Sequence, residues 1–400
     1  MNVERAKKAR WGYLILGVAL LLCLGLIYAW SVFRAPLEEE FGWSKAQTSV
    51  TFSVSMTMFC LGGLVSGVVT GKRGPRFTLA ACAAFLLAGF SAASQIHTLP
   101  GIYVTYGGFC GFGVGLGYNA AISTVMRWFP DKQGLVSGIT LMGFGFGGML
   151  LGTLGAGLIT ALGWRTTFLI FAAAFAAIML TGALLLRTPE EGFLAALSAG
   201  GKKGEAVEEI PWREMLRRRN FWLCFIWAVI LSAAGLAIIN EATTYAAPFV
   251  GGDLTRAAAL AGMVSIANGM GRVLSGQMFD MAGYRTAMLS VSVIYAAAAA
   301  ALTASLKTGS VPVLAAAFLL VGLAYGGVPP TNSAFAAHFF GRRHYALNFS
   351  IINLNLIAAS CLGPLCGGGS YMGIFAAILA FAAIGAALTL LVKRPEKGAA

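Results

Sequence analysis

The sequence predicts an all-α membrane protein, with twelve transmembrane helices arranged as two six-helix, pseudo-symmetric bundles. Three observations lead there. The chain is 58% hydrophobic and only 11% charged, with a mean hydropathy of +0.79, whereas a soluble domain carries about 25% charged residues. Apolar runs of twenty or more residues recur from end to end, each long enough for a hydrocarbon layer of about 30 Å. A loop motif also recurs at a fixed offset, which divides the chain into two related halves.

The expected spans are 11–33, 45–70, 76–97, 100–128, 133–161, 165–186, 221–248, 255–281, 285–306, 310–339, 344–368 and 371–392. They are read as helices because lipid offers the backbone no hydrogen-bond partners. The first begins at Trp11. It is too long for a signal-peptide core and lacks a small-residue cleavage site, so it is expected to be retained. The fifth carries GITLMGFGFGGMLLG (138–152), read as a glycine surface for close packing and bending, because a phosphate loop would need a polar strand-to-helix turn. Pro329 and Pro330 are expected to kink the tenth. Between the sixth and seventh lies the only long polar stretch, which sets the expected organisation at 1–187, a linker 188–220, and 221–400. Within the linker, WREMLRRR is either a solvated charge cluster or a short amphipathic segment on an anionic leaflet.

Charge fixes the expected orientation. With the N-terminus inside, cytoplasmic segments hold 22 of the 28 Lys and Arg, outer segments hold Arg34, Lys45, Arg165, Arg256 and Lys307, and Arg272 remains. This bias predicts cytoplasmic termini; the membrane expected, from the resemblance given below, is a bacterial-type plasma membrane. The net charge of +13 is thus a topology signal and does not point to nucleic acid. Seven cysteines fall inside apolar runs without zinc or CxxC spacing, as small buried hydrophobes do. His97, His338 and His344 are scattered, so no metal, cofactor or nucleophile–base pair is expected. A membrane-bound enzyme would need clustered acids, histidines or cysteines, and a sensor would need a signalling domain.

The repeat is specific. GVVTGKRGPR (67–76) and GQMFDMAGYR (276–285) lie 209 residues apart and fit G-x-x-x-D-x-x-G-x-R, with Gly71 in place of the first Asp. GLGYNAA (115–121) likewise matches GLAYGGV (322–328). Parallel six-helix repeats are a transporter architecture.

Arg272 is the most informative single residue. It lies eight residues before the end of the apolar segment 253–280, about 12 Å inside it. A cation at that depth costs about 3 kcal/mol on insertion scales, so it faces water, an anion or a buried partner. Its planar fork suits a carboxylate; the structural alternative is a carbonyl or Glu241. Asn268 is one turn away on the same face. Tyr118 and Tyr325 occupy matching repeat positions and can offer hydroxyls and rings to a short substrate, with helix packing as the alternative. Tyr28 is a further candidate, as are Asn355, Asn240 and Asn353, for which interhelical hydrogen bonding is an equal reading. Glu241 is the local candidate for proton coupling, or else an outer acid paired with Arg34 or Arg256.

These segments resemble the major facilitator superfamily, whose signature between helices 2 and 3 and between helices 8 and 9 is similar to 67–76 and 276–285. The resemblance implies a cytoplasmic gate in which Asp280, Arg76 and Arg285 bridge helix ends, with the Gly71 copy weakened. Within that superfamily, YAWSVFRAPLEEEFGWS (28–44), RWFPDKQGLVSG (127–138) and NGMGR (268–272) resemble the oxalate/formate antiporter and monocarboxylate porter branch. The resemblance implies a secondary transporter, working as a monomer on a small carboxylate, with protons and the bilayer as its other partners. Oxalate carriers of this type are expected to have a lysine in helix 11, but 345–364 carries no charge. One central cation suits a monoanion, so the leading expectation is lactate- or pyruvate-like monocarboxylate transport by proton symport, with an oxalate/formate-type exchanger as the alternative. The helix 1 lysine and helix 8 aspartate of animal monocarboxylate porters look like Val32 and Asn268 here, so that coupling pair does not carry over.

Overall fold

The computed structural model describes residues 3–189, 209–365 and 370–393. Every regular element among them is a helix. Among the described residues, nine helical stretches are long and apolar enough to cross a membrane, and three of these are too long for one crossing. Lys45–Ala93, Gln133–Leu185 and Leu254–Thr308 contain 49, 53 and 55 residues, or roughly 70–80 Å each at 1.5 Å per residue. Each is broken once by a glycine with positive φ: Gly74 (79°), Gly163 (78°) and Gly283 (81°). Residues with a Cβ rarely adopt that conformation. The breaks turn nine stretches into twelve helices: α1 (3–41), α2 (45–73), α3 (75–93), α4 (99–128), α5 (133–162), α6 (164–185), α7 (219–246), α8 (254–282), α9 (284–308), α10 (311–340), α11 (345–365) and α12 (371–391). A short helix, Trp212–Met215, precedes α7.

The repeated motif now has a physical meaning at each glycine. Gly74 and Gly283, 209 residues apart, are the two turn glycines. Gly67 and Gly276 are contact glycines. A Cβ on Gly67 would lie 2.7 Å from Leu347 Cα, and one on Gly276 would lie 2.1 Å from the Gly134 carbonyl oxygen.

One expectation needs correction. The first helix does not end near residue 33. It continues through a 3-10 turn, Gly25–Ala29, into Trp30–Phe41, with Pro36 inside. Its acidic end is held by its neighbours: Arg34 pairs with Glu38 (3.2 Å), Glu38 accepts a hydrogen bond from Thr48, and Glu40 accepts from Trp164 Nε1 and Arg165 (2.6 Å each). α10 runs as one helix from Val311 to Phe340 with Pro329 and Pro330 inside it. Proline's φ is helical, so what is lost is two N–H donors, those that would otherwise serve the carbonyls four residues back, at Tyr325 and Gly326. α4 also contains a π-helical stretch, Tyr103–Cys110, which no sequence signal announced.

The chain divides into two compact units. One comprises Met1–Asp131, Gly143–Glu205 and Arg342–Ile351, and the other Lys132–Met142, Ala206–Gly341 and Ile352–Ala400. The sequence halves therefore trade short stretches, since the start of α5 packs in the second unit and the start of α11 in the first. The first unit has an aromatic interior in which Tyr106 contacts Trp30 (4.6 Å between centroids), Phe33 and Phe90. The second buries Tyr245 among Phe318, Tyr371 and Phe375.

Candidate functional site

Arg272 is placed by glycines on both sides of α8. On one side the start of α5 lies backbone to backbone against it, and a Cβ on Gly138 would sit 2.3 Å from the Arg272 carbonyl oxygen. On the other side is α10, where a Cβ on Gly326 would sit 2.1 Å from the Asn268 carbonyl oxygen. Helices approach this closely only where side chains are absent. The guanidinium is consequently enclosed, with Arg272 only 2% exposed. Nη1 donates to the Leu141 carbonyl at 2.6 Å, and Nε donates to Asn268 Oδ1 at 3.3 Å. The i, i+4 relation read from the sequence therefore becomes a direct contact. Both partners are neutral, and no carboxylate pairs with Arg272 among the described residues. Burying an uncompensated charge is costly, and the two neutral oxygens supply hydrogen bonds without a counter-charge.

Eight residues further on, Asp280 caps α5. Its two carboxylate oxygens accept from Gly134 N and Leu135 N at 2.8 Å each. Those amides have no intrahelical acceptor, and the carboxylate also suits the positive end of the helix dipole. Arg272 and Asp280 thus grip the same stretch of α5 from one helix. Of the other motif cations, Arg285 donates from Nη2 to the Val392 carbonyl (3.0 Å), while Arg76 is exposed.

The remaining candidates are distributed. Tyr118, 5% exposed, belongs to the first unit and sits in an aromatic box of Phe59, Phe144 and Phe349. Tyr325, in the second unit, lays its ring where Gly235 has no side chain; a Cβ there would meet Tyr325 Cδ2 at 2.4 Å. Asn355 accepts from Ser232 Oγ (3.3 Å) and donates to the Ile352 carbonyl (2.7 Å), so its amide ties α11 to α7. Glu241 is exposed at the end of α7. Of the arginines weighed beside it, Arg256, in the same unit, pairs with Asp253, and Arg34, in the first unit, pairs with Glu38. The side chains of Tyr28 and Asn240 lie outside the described residues.

One polar knot escaped the sequence reading. Asn119, 1% exposed, directs Nδ2 at the Gly63 and Ala346 carbonyls and at Ser350 Oγ (3.1, 2.9 and 2.6 Å), and Ser350 Oγ also donates to the Gly63 carbonyl at 2.7 Å. It joins α2, α4 and the start of α11 within the first unit. Its only sequence signal was an amide beside Tyr118 in an apolar helix.

The family profile described as Major Facilitator Superfamily matches residues 15–364. The chain belongs to the Major Facilitator Superfamily. It is a multi-pass membrane protein whose family and fold are those of transporters rather than enzymes. Among superfamily relatives it is 30% identical over 242 residues to the oxalate:formate antiporter of Oxalobacter formigenes, an alignment covering 59% of this chain and 55% of the antiporter. It is 24% identical over 313 residues to monocarboxylate transporter 6 of Homo sapiens, covering 73% of this chain and 61% of that protein. The chain thus spans little more than half the length of these two relatives. In structure it resembles the proton:xylose symporter XylE, with a TM-score of 0.73 at 14% identity over 96% of both chains. That likeness establishes the shared superfamily fold.

Proposed function

We propose that this protein is a secondary active transporter of small monocarboxylates such as lactate or pyruvate, working as a monomer by alternating access with proton symport. The observation that carries the reading is the buried guanidinium of Arg272, whose described partners are two neutral oxygens. A carboxylate is the natural counter-charge, and an arginine fork can take both of its oxygens. A single central cation, with no charge in 345–364, matches one carboxylate better than two.

The geometry supports a coupling between binding and movement. A carboxylate arriving at Arg272 competes with the Leu141 carbonyl for the same Nη1. Taking that donor loosens the start of α5 from α8, leaving Asp280 as the remaining tie. Asn268 orients the guanidinium, Tyr118, Tyr325, Tyr28 and Asn355 are proposed as accessory substrate groups, and Arg76 and Arg285 with Asp280 serve the gate. The proton enters either on the substrate carboxylate or through Glu241. In the proposed topology both termini are cytoplasmic in a bacterial-type plasma membrane, two halves (1–187 and 221–400) are joined by the linker 188–220, and the Gly74 and Gly283 turns face the cytoplasm.

The similarity to an oxalate:formate antiporter favours a second reading, obligatory anion exchange. Uptake of labelled L-lactate into proteoliposomes separates the two. Accumulation in empty vesicles driven by an inward proton gradient is expected. Uptake confined to anion-loaded vesicles would establish exchange instead.

A further inference from the structure

At the start of α7 the residues on one face are graded by chemistry. Arg219, Trp222 and Ile226 stand at i, i+3 and i+7, which puts them on one side of the helix, and all three are exposed, Trp222 at 49% and Ile226 at 43%. Cation, indole and aliphatic side chain follow one another along the helix, in the order in which a bilayer presents headgroup, interface and acyl chain.

The preceding segment is fixed beside this face. Trp222 Nε1 donates to the Leu216 carbonyl (2.8 Å), Ile210 N donates to the Phe340 carbonyl (3.1 Å), and Met215 is fully buried. This anchoring leaves Trp212, Arg213 and Arg217 exposed, with the Arg213 guanidinium 5.3 Å from the Trp212 ring centre. A third strand of the arrangement comes from the end of α12. Asn220 bonds the Lys393 backbone in both directions (3.1 and 3.3 Å), bringing exposed Lys393 next to Arg219. Among the described residues the acids here are Glu209 and Glu214, and Glu214 is held by Arg218 at 2.6 Å.

We propose that Arg213, Arg217, Arg219 and Lys393, with Trp212 and Trp222 at the interface, form a site for the headgroup of an anionic phospholipid. The charge of the site complements a phosphodiester, and its continuity with the apolar face at Ile226 selects a lipid over a free anion. The proposal is independent of the transported substrate.

The test is native mass spectrometry of the full chain released from vesicles of phosphatidylcholine mixed with phosphatidylglycerol. Selective retention of phosphatidylglycerol is expected. Each of Arg213→Gln, Arg217→Gln and Arg219→Gln should weaken retention about fivefold, in line with roughly 1 kcal/mol per interfacial cation, and Arg219→Lys should restore it. Arg73→Gln, in the other unit, should leave it unchanged and controls for general loss of charge. Equal retention of both lipids, or wild-type retention by the triple glutamine variant, would overturn the proposal. Displacement of the lipid by millimolar inorganic phosphate would overturn the selection of a lipid.

Discussion

Among the described residues Arg272 meets neutral oxygens alone in its enclosed setting, and the consequences of that are local. Removing one partner of a buried charge pair costs about 2–5 kcal/mol, so Arg272→Ala should abolish measurable carboxylate binding while the helix, freed of a buried cation, still inserts. Tyr118 is a weaker case, because a neutral hydrogen bond is worth about 0.5–1.5 kcal/mol. Tyr118→Phe should therefore raise the apparent substrate constant roughly two- to tenfold, and an unchanged constant in an uptake titration would return Tyr118 to its aromatic box. At this scale the sequence was legible where a residue violates its surroundings. An arginine inside an apolar run announces itself, and Asn268 follows by helical spacing. Asn119 and Asn355 were not separable from other intramembrane amides, because their partners Ser350 and Ser232 lie 231 and 123 residues away.

Among the helices, glycine contacts set the distances on which the site depends. Gly138→Ala would place a Cβ 2.3 Å from the Arg272 carbonyl oxygen, against backbone that cannot step aside. Overpacking of this kind costs about 1–3 kcal/mol, and the variant should show a lowered thermal midpoint together with loss of transport. The extension of α1 predicts a stability effect. Trp164 Nε1 and Arg165 Nη1 donate to Glu40 and tie the helix end to its neighbour. Glu40→Gln removes the charge from both contacts and should lower the thermal midpoint; an unchanged midpoint would remove Glu40 from the account. Element existence was legible throughout, because apolar runs of bilayer length have few alternatives. The end of α1 was not, because Pro36 and Glu38–Glu40 have the composition of a loop and become helical only through contacts with Thr48, Trp164 and Arg165.

For the molecule as a whole, the repeat was visible as a motif, and the structure supplies its reason, with one glycine for the turn and another for helix contact in each copy. What the sequence halves did not reveal is the traded packing of 132–142 and 342–351, since apolar helix faces do not name their partners. Among the residues that define the motif the copies differ at one position, where Asp280 caps α5 and its counterpart is Gly71. Asp280→Asn keeps one acceptor but loses the charge, and it should speed opening at that face, seen as faster cysteine labelling beside α5. Equal labelling rates would remove Asp280 from the gate. The central claim is that Arg272 holds the carboxylate of the transported monoanion. The most direct measurement is proton-gradient-driven uptake of labelled L-lactate by wild-type protein and Arg272→Ala reconstituted at matched density in empty vesicles. The account predicts accumulation by the wild type and background levels for the variant; near-normal uptake by Arg272→Ala would contradict it.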